Sequence, residues 1–155
     1  MRSASWVFGQ RVRLWRGGSP VARLMAGIAG LPSTGRDLPL TVTFAPADGE
    51  EIWTRDFGGH VFRSRQGASW TLLWEKVGPG RMLFEPVAGP DGLTLEIKGL
   101  SVFGMPVPRW LLSSVVTREW EEAGRYCFSV EANLPLIGRL IRYSGWLEPT
   151  LLATA

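Results

Sequence analysis

One segment of the 155-residue sequence combines residue types and spacing that suit ligand binding: Trp53-Thr54-Arg55-Asp56-Phe57. Alternate side chains of a strand point to the same face, so Trp53, Arg55 and Phe57 are expected to lie together. A guanidinium between two aromatic rings can bind an anion while the rings contact an apolar group. Burying that charge without a partner is costly, so an inward Arg55 needs a carboxylate or a ligand anion.

A structural role for Arg55 is the alternative. Its aliphatic stem can pack on Trp53 while the guanidinium stays in water, or the guanidinium can form an internal salt bridge to Glu75 or Glu119. Charged side chains are rarely buried alone, which favours a structural role for Arg55 over a ligand-binding role.

Aromatic residues extend the candidate site to other parts of the chain. A larger aromatic group is expected to supply the interior of the domain, with many of its members simply packed in the core: Phe62, Trp70, Trp74, Phe84, Trp120, Phe128, Tyr143 and Trp146. The predicted ligand-binding set is Trp53, Arg55, Phe57, Phe62, Trp74, Glu75, Glu119 and Tyr143.

Residues capable of acid–base catalysis are few and scattered. The candidates are His60, Glu75, Glu119, Glu121 and Glu122. Glu75 and Glu119 form the one pair that could face a single cleft, as in a glycosidase-type hydrolase. The single His follows two glycines and is expected at an exposed turn. With one Cys and one His, the sequence predicts no metal site and no cofactor. Cys127 is predicted to be a small buried or half-buried strand residue.

The composition limits the classes of protein that the chain can belong to. Hydrophobic residues make up 45% and charged residues 20%, which excludes disorder as the main state. The formal net charge is +3, but the arginines are spread along the chain, so nucleic-acid binding is not predicted. No uncharged run approaches the ~18 residues of a membrane span. The start does not resemble a secretion signal either, and we predict a cytoplasmic location.

Short strands dominate the predicted secondary structure. Residues 7–16 alternate between apolar and basic side chains, as a strand does. Ser19-Pro20 is typical of a helix start, and Val21, Leu24, Met25 and Ile28 are predicted to form its buried stripe. Strands separated by turns are then predicted at 38–44, 51–57, 60–65, 70–76, 82–87, 93–98, 115–122, 125–133 and 140–147.

Residues 103–114 break this pattern. Met105-Pro106-Val107-Pro108 cannot form a central strand because proline lacks the N–H donor. We predict a loop that crosses one end of the sheet, with a helical turn at Trp110-Leu111-Leu112.

The predicted fold is therefore mostly β. About ten antiparallel strands form a meander that curls into a calycin-like barrel or half-barrel, with one short helix near the N-terminus. A two-sheet β-sandwich is the alternative. Residues 1–155 are predicted to form one domain, with a frayed tail at 150–155.

Five blocks of residues together resemble a known bacterial family, domain of unknown function 4166, over residues 9–148. The first three blocks are Gly30-Leu31-Pro32 with Gly35, Asp37, Pro39, Val42 and Phe44; Glu51, Trp53, Arg55, Phe57, Gly59, Phe62 and Ser64; and Glu75 with Gly78-Pro79. The other two are Gly104, Pro106 and Pro108; and Glu119, Gly124, Tyr126, Phe128, Val130, Pro135, Gly138, Leu140, Tyr143 and Gly145.

The resemblance implies no activity, because none is assigned to the family. Some members carry this domain behind a Rossmann-type, dehydrogenase-like module. The present chain has no GxGxxG motif, so any nucleotide chemistry would have to come from a protein partner.

Three functions are open from the sequence. The first is non-enzymatic binding of an apolar or amphipathic small molecule, with Arg55 orienting an acidic end. The second is an accessory domain that docks on a dehydrogenase-like partner through residues 103–112. The third is a hydrolase that uses Glu75 and Glu119.

Overall fold

The computed structural model describes residues 6–28, 30, 32–112, 115–136, 138–147 and 149–150. The helix α1 is Pro20–Ile28. The strands are β1 Trp6–Arg16, β2 Gly35–Ala47, β3 Glu50–Phe57, β4 His60–Ser69, β5 Leu72–Val77, β6 Gly80–Gly89, β7 Gly92–Val102, β8 Met105–Pro106, β9 Val115–Glu122, β10 Arg125–Leu134, β11 Gly138–Leu147 and β12 Pro149–Thr150.

Ten of these strands close into an antiparallel barrel. The first strand, β1, pairs with β2 on one side and with β11 on the other, which joins the two edges of the sheet. The short strands β8 and β12 add to β7 and β1. Closure pairs the two edge strands of the sheet, β1 and β11, with each other, and the predicted barrel with one short helix is confirmed.

The core lies on one side of the barrel. Inward residues of β1 and β2 are almost fully buried, as for Val12 at 2% and Leu40 at 2% exposed, and they pack with residues of β10 and β11. Arg13 points outward, as the alternation predicts. Inward residues of β5 and β7, such as Trp74 and Ile97, are only partly buried. The barrel is therefore filled on one side and hollow on the other.

The alternating strand directions sort the connections into two ends. The hairpin end carries the tight turns at residues 48–49, 70–71, 90–91 and 123–124. The helix end carries α1, the turns at 58–59, 78–79 and 135–136, and the crossing segment, which we define as residues 103–112.

Helix α1 begins as predicted, but it buries a different face. The Ser19 hydroxyl accepts a hydrogen bond from the Ala22 backbone N–H at 3.1 Å, which caps the helix. Ala22 and Ala26 are fully buried, whereas Leu24 is 65% exposed. The prediction that Leu24 lies in the buried stripe is therefore wrong, because the small alanines let the helix approach the barrel closely. The predictions for the side chains of Val21, Met25 and Ile28 lie outside the described residues.

The crossing segment has the predicted irregular form. Met105–Pro106 pairs briefly with β7, and Arg109–Leu111 forms a 3₁₀ turn. The backbone N–H of Phe103 donates to the Pro79 carbonyl at 2.9 Å, and that of Val107 donates to Leu100 at 2.8 Å. These bonds fix the segment across the helix end.

One aromatic prediction is wrong. Trp70 lies in the turn between β4 and β5, with a φ of 58°, and its side chain is fully exposed at the hairpin end. The hairpin register makes Ser69 and Leu72 the last pair, so Trp70 falls at the tip. Cys127 is buried in β10, as predicted.

The tail predicted to be frayed was 150–155. Thr150 in β12 instead pairs with Val7, and residues 151–155 lie outside the described residues.

Candidate functional site

The hollow side of the barrel contains a cavity of about 770 Å³. Sites for small molecules typically span about 300–1,000 Å³. All eight residues of the predicted ligand-binding set line this cavity: Trp53, Arg55, Phe57, Phe62, Trp74, Glu75, Glu119 and Tyr143. The structure thus brings the candidate residues together around one cavity. Ligand binding by them stays a prediction.

Arg55 points into the cavity and already has a counter-ion. Its side chain is 11% exposed, and Nη2 lies 3.3 Å from Oε1 of Glu75. Its Nη1 donates a hydrogen bond to the Ser64 hydroxyl at 2.9 Å, and Ser64 is 2% exposed. The internal salt bridge to Glu75, one of the two alternatives for Arg55, is confirmed.

Two aromatic rings contact the guanidinium of Arg55. Its central carbon lies 5.1 Å from the ring centre of Trp53 and 5.5 Å from that of Phe62, within cation–π range. Trp53 is itself fixed by an edge contact with Phe44, with ring centres 4.3 Å apart. Its indole N–H donates to Glu51 at 3.0 Å. The position of Arg55 is therefore fixed by packing as well as by charge.

A second polar group lies on β9, β10 and β11. Burial raises the pKa of Tyr126 far above its usual range, and the neighbouring Glu119 raises it further by its charge and a hydrogen bond. Burial also raises the pKa of Tyr143, while the charge of Arg55 opposes this shift. Arg55 thus acts electrostatically on both tyrosines, which places the two polar groups around one cavity.

The charges on the cavity wall do not cancel. Among the described lining residues, the charged side chains are Arg55, Glu75 and Glu119. Their formal sum is one negative charge. This balance disfavours an anionic ligand group, because Glu75 already neutralises Arg55 and Glu119 repels a carboxylate.

Sequence reasoning missed part of the wall. Tyr126, Gln66 and Thr117 also line the cavity. Tyr126 and Phe128 are two residues apart on β10 and point to the same face. Their rings stack with centres 6.5 Å apart. The shared face of Tyr126 and Phe128 on one strand is the sequence feature that could have identified this tyrosine. Apolar side chains from most strands make up the remainder.

The cavity extends towards both ends of the barrel. Phe103 in the crossing segment lines it and is 79% exposed. Tyr126, close to the hairpin end, lines it and is 37% exposed. Val107 and Leu111 cover the cavity at the helix end. Of the described residues that line the cavity, Phe103 is therefore the most exposed to solvent.

The five candidate catalytic residues are dispersed. Glu75 on β5 and Glu119 on β9 both line the cavity, but β6 and β7 lie between their strands. His60 is exposed at the helix end, where Nε2 lies 2.8 Å from the Gly30 carbonyl oxygen. Glu121 accepts a hydrogen bond from the Gly124 N–H in a turn, and Glu122 is exposed. Only Glu75 and Glu119 of this set therefore share the cavity.

The described residues contain no group of three or more His, Cys, Asp or Glu side chains placed to hold a metal ion. They also contain no helix that is long and apolar enough to cross a membrane.

Comparison with known proteins identifies the family. No curated protein and no solved structure matches the chain. The sequence model of one family, "Domain of unknown function (DUF4166)", matches residues 5–147. Because the match covers nearly the whole barrel, the chain belongs to the DUF4166 family, as its sequence motifs predicted.

Proposed function

We propose that the protein binds an apolar or amphipathic small molecule inside the barrel without catalysing a reaction on it. The observation that carries the proposal is the cavity of about 770 Å³, whose wall is mainly aliphatic and aromatic. An apolar cavity of this size exposes surface that a ligand can cover. The favourable free energy of burial rises by about 25 cal/mol for each Å² of apolar surface removed from water.

The aromatic residues of the predicted set supply much of the apolar contact. Trp53, Phe62 and Trp74 are partly buried and line the cavity, so a ligand can reach their rings. Phe57 is 7% exposed and belongs to the packed core. Its contact with a ligand is therefore smaller than that of the other three.

The polar residues favour a neutral or basic group on the ligand. The sequence alone favoured an acidic end bound by Arg55, but Glu75 balances that charge at 3.3 Å. Glu119 adds a hydrogen-bond acceptor on another part of the wall. A hydroxyl, amide or amine that donates to Glu119 fits this arrangement better than a carboxylate does.

Fewer observations support the partner-docking and hydrolase functions. The dehydrogenase-like partner suggested by the family resemblance stays a prediction, as do a cytoplasmic location and a bacterial source. A hydrolase that uses Glu75 and Glu119 would need both carboxyl groups at one reacting bond. The salt bridge to Arg55 gives Glu75 a structural role instead.

Native mass spectrometry of the purified protein tests the proposal. We expect a species heavier than the 17.1 kDa chain, with an added mass that denaturation releases. The released molecule is expected to be apolar, with a neutral or basic polar group. A released long-chain acid would contradict the charge argument and leave the binding claim intact. Bare protein that also fails to take up added apolar compounds would refute the binding claim itself.

A further inference from the structure

Large apolar side chains protrude from the helix end of the barrel. Phe103, Met105 and Trp110 in the crossing segment are 79%, 71% and 61% exposed. Leu24 of α1 is 65% exposed, and Leu136 in the turn after β10 is 97% exposed. These side chains come from three separate parts of the chain, yet the topology collects them at the same end.

The backbone beneath these side chains is held in place. The crossing segment is hydrogen-bonded to the turn after β5 through Phe103 and Pro79. Its last described residue, Leu112, is 4% exposed and anchors it in the barrel. The protruding side chains are thus carried on a fixed frame. Exposed apolar side chains gathered at one end of the barrel form a candidate interaction surface.

Basic residues surround this surface. Four exposed arginines lie at or next to the helix end: Arg23, Arg81, Arg109 and Arg139. Of these, Arg139 is partly neutralised by Glu131 at 3.5 Å. The acids nearest to this end are Asp37 and Asp56, and Asp56 accepts a hydrogen bond from the Gly59 N–H.

The hairpin end has the opposite character. Exposed acids occupy its turns and strand ends: Asp48, Glu51, Asp91, Glu121 and Glu122. Trp70 and Arg125 are also exposed at the hairpin end, but acids outnumber basic residues there, whereas arginines predominate at the helix end. An anionic surface attracts the helix end and repels the hairpin end.

The apolar surface is also continuous with the cavity. Phe103 both protrudes into solvent and lines the cavity, and Leu111 of the same segment lines it as well. A molecule that leaves an apolar phase beside Phe103 would meet the cavity without crossing bulk water.

We propose that the helix end binds the surface of an anionic lipid bilayer. Trp110, Phe103 and Leu136 enter the headgroup region, where aromatic and aliphatic side chains are favoured, and Arg23 and Arg109 contact the anionic headgroups. Separate apolar protrusions among arginines suit a fluid interface, which needs no shape complementarity, better than they suit a protein partner, which requires a packed core. This docking goes beyond the proposed function and does not require an occupied cavity.

Co-sedimentation of the full-length protein with lipid vesicles tests the proposal. We expect binding to vesicles of phosphatidylcholine mixed with phosphatidylglycerol and much weaker binding to phosphatidylcholine alone. Added salt is expected to weaken the binding to the anionic vesicles, because it screens the arginines. Absence of binding to the anionic vesicles at low salt would overturn the proposal.

Matched variants locate the contact. Trp110→Ser is expected to weaken anionic-vesicle binding, whereas Trp70→Ser changes a still more exposed tryptophan at the hairpin end and is expected to have no effect. The double variant Arg23→Glu/Arg109→Glu is expected to weaken binding by about tenfold or more. Arg118→Glu, an exposed change on the wall of the barrel, serves as its control. Circular dichroism confirms that each variant is folded.

Two outcomes separate this proposal from others. Equal vesicle binding by the Trp110→Ser and Trp70→Ser variants would overturn the assignment to the helix end. A protein partner whose binding is lost in Trp110→Ser, while wild-type protein ignores vesicles, would assign the surface to a protein instead. A variant with a filled cavity, Val130→Trp, is expected to bind vesicles normally, so failure of the ligand-binding proposal would leave this one standing.

Discussion

Arg55 is the residue in which structural and functional roles meet. Its guanidinium is held by Glu75, Ser64 and two aromatic rings, yet it remains on the cavity wall. The sequence could predict that Arg55 shares a face with Trp53 because strand alternation fixes that relation. It could not predict which of Glu75 and Glu119 provides the counter-ion, since that depends on strand neighbours far apart in the chain.

Breaking this ion pair on one side is expected to cost more than removing both partners. Arg55→Met leaves Glu75 without its counter-ion and is expected to lower the free energy of unfolding by about 3 kcal/mol. The double variant Arg55→Met/Glu75→Met removes both charges and is expected to lie closer to wild type than Arg55→Met does. Urea denaturation measures the free energy of unfolding of the wild-type protein, Arg55→Met and the double variant. A double variant less stable than Arg55→Met would contradict the pairing.

The two tyrosines of the chain provide a pH test of the cavity wall. Burial raises the pKa of Tyr126 and Tyr143 above the ordinary value of 10.0. The unfolded chain therefore loses these protons at a lower pH than the folded protein does. The contribution of the two protonated tyrosines to the free energy of unfolding is fully present below about pH 10. It is lost as the pH rises above that value.

Spectrophotometric titration of phenolate measures these shifts directly. The folded protein is expected to ionise its tyrosines at higher pH than the chain in concentrated urea. Tyr143→Phe should remove one of the two late ionisations and reduce the alkaline loss of stability. Coincident titration curves for folded and unfolded protein would contradict the burial of both phenols.

Glycine provides a close contact where β1 leads into α1. A Cβ added at Gly17 would overlap the Arg139 carbonyl oxygen and lie 2.8 Å from Ala22 Cβ, whereas a Cβ at Gly18 would meet nothing within 4 Å. Gly17 can therefore bring α1 against β11, which positions the helix end. The sequence shows two adjacent glycines, Gly17 and Gly18, but which of them makes the close contact is visible only in three dimensions.

Alanine substitution separates the two positions. Gly17→Ala is expected to lower the free energy of unfolding by at least about 2 kcal/mol, because backbone and helix must move apart. Gly18→Ala is expected to change it by less than about 0.5 kcal/mol. Chemical denaturation compares the two variants, and equal stabilities would contradict the close packing of α1.

Local sequence patterns predict the positions of the strands and the helix well, but they predict less well which side chains are buried. The turns and alternations gave the ten barrel strands, although β2 extends three residues beyond the predicted 38–44 at each end. Their hydrophobic side chains alone predict that Leu24 and Trp70 point inward. Their exposure follows from helix–barrel distance and hairpin register, and neither is encoded in a short stretch of sequence.

The complete barrel explains why a small domain can be hollow. Its core is concentrated where β1, β2, β10 and β11 meet, so stability does not require the opposite side to be filled. The sequence predicted inward aromatic residues but could not distinguish a packed interior from a cavity. That difference depends on the volume the closed sheet encloses, which no local pattern specifies.

The polarised ends give the barrel a direction. The apolar and basic helix end faces a lipid surface in our proposal, while the hairpin end remains in solution. Ligand entry beside Phe103 and docking at the same end would then form one path between a membrane and the cavity, which would connect the two proposals at the level of the whole molecule.

The binding of an apolar molecule inside the barrel is the central claim, and a calorimetric titration with a long-chain alcohol tests it most directly. Wild-type protein is expected to bind the alcohol with one-to-one stoichiometry. Val130→Trp, which fills the cavity, should abolish binding, whereas Val116→Trp, the same change at an exposed position on β9, should retain it. Equal binding by both variants, or no binding by wild-type protein, would contradict the account.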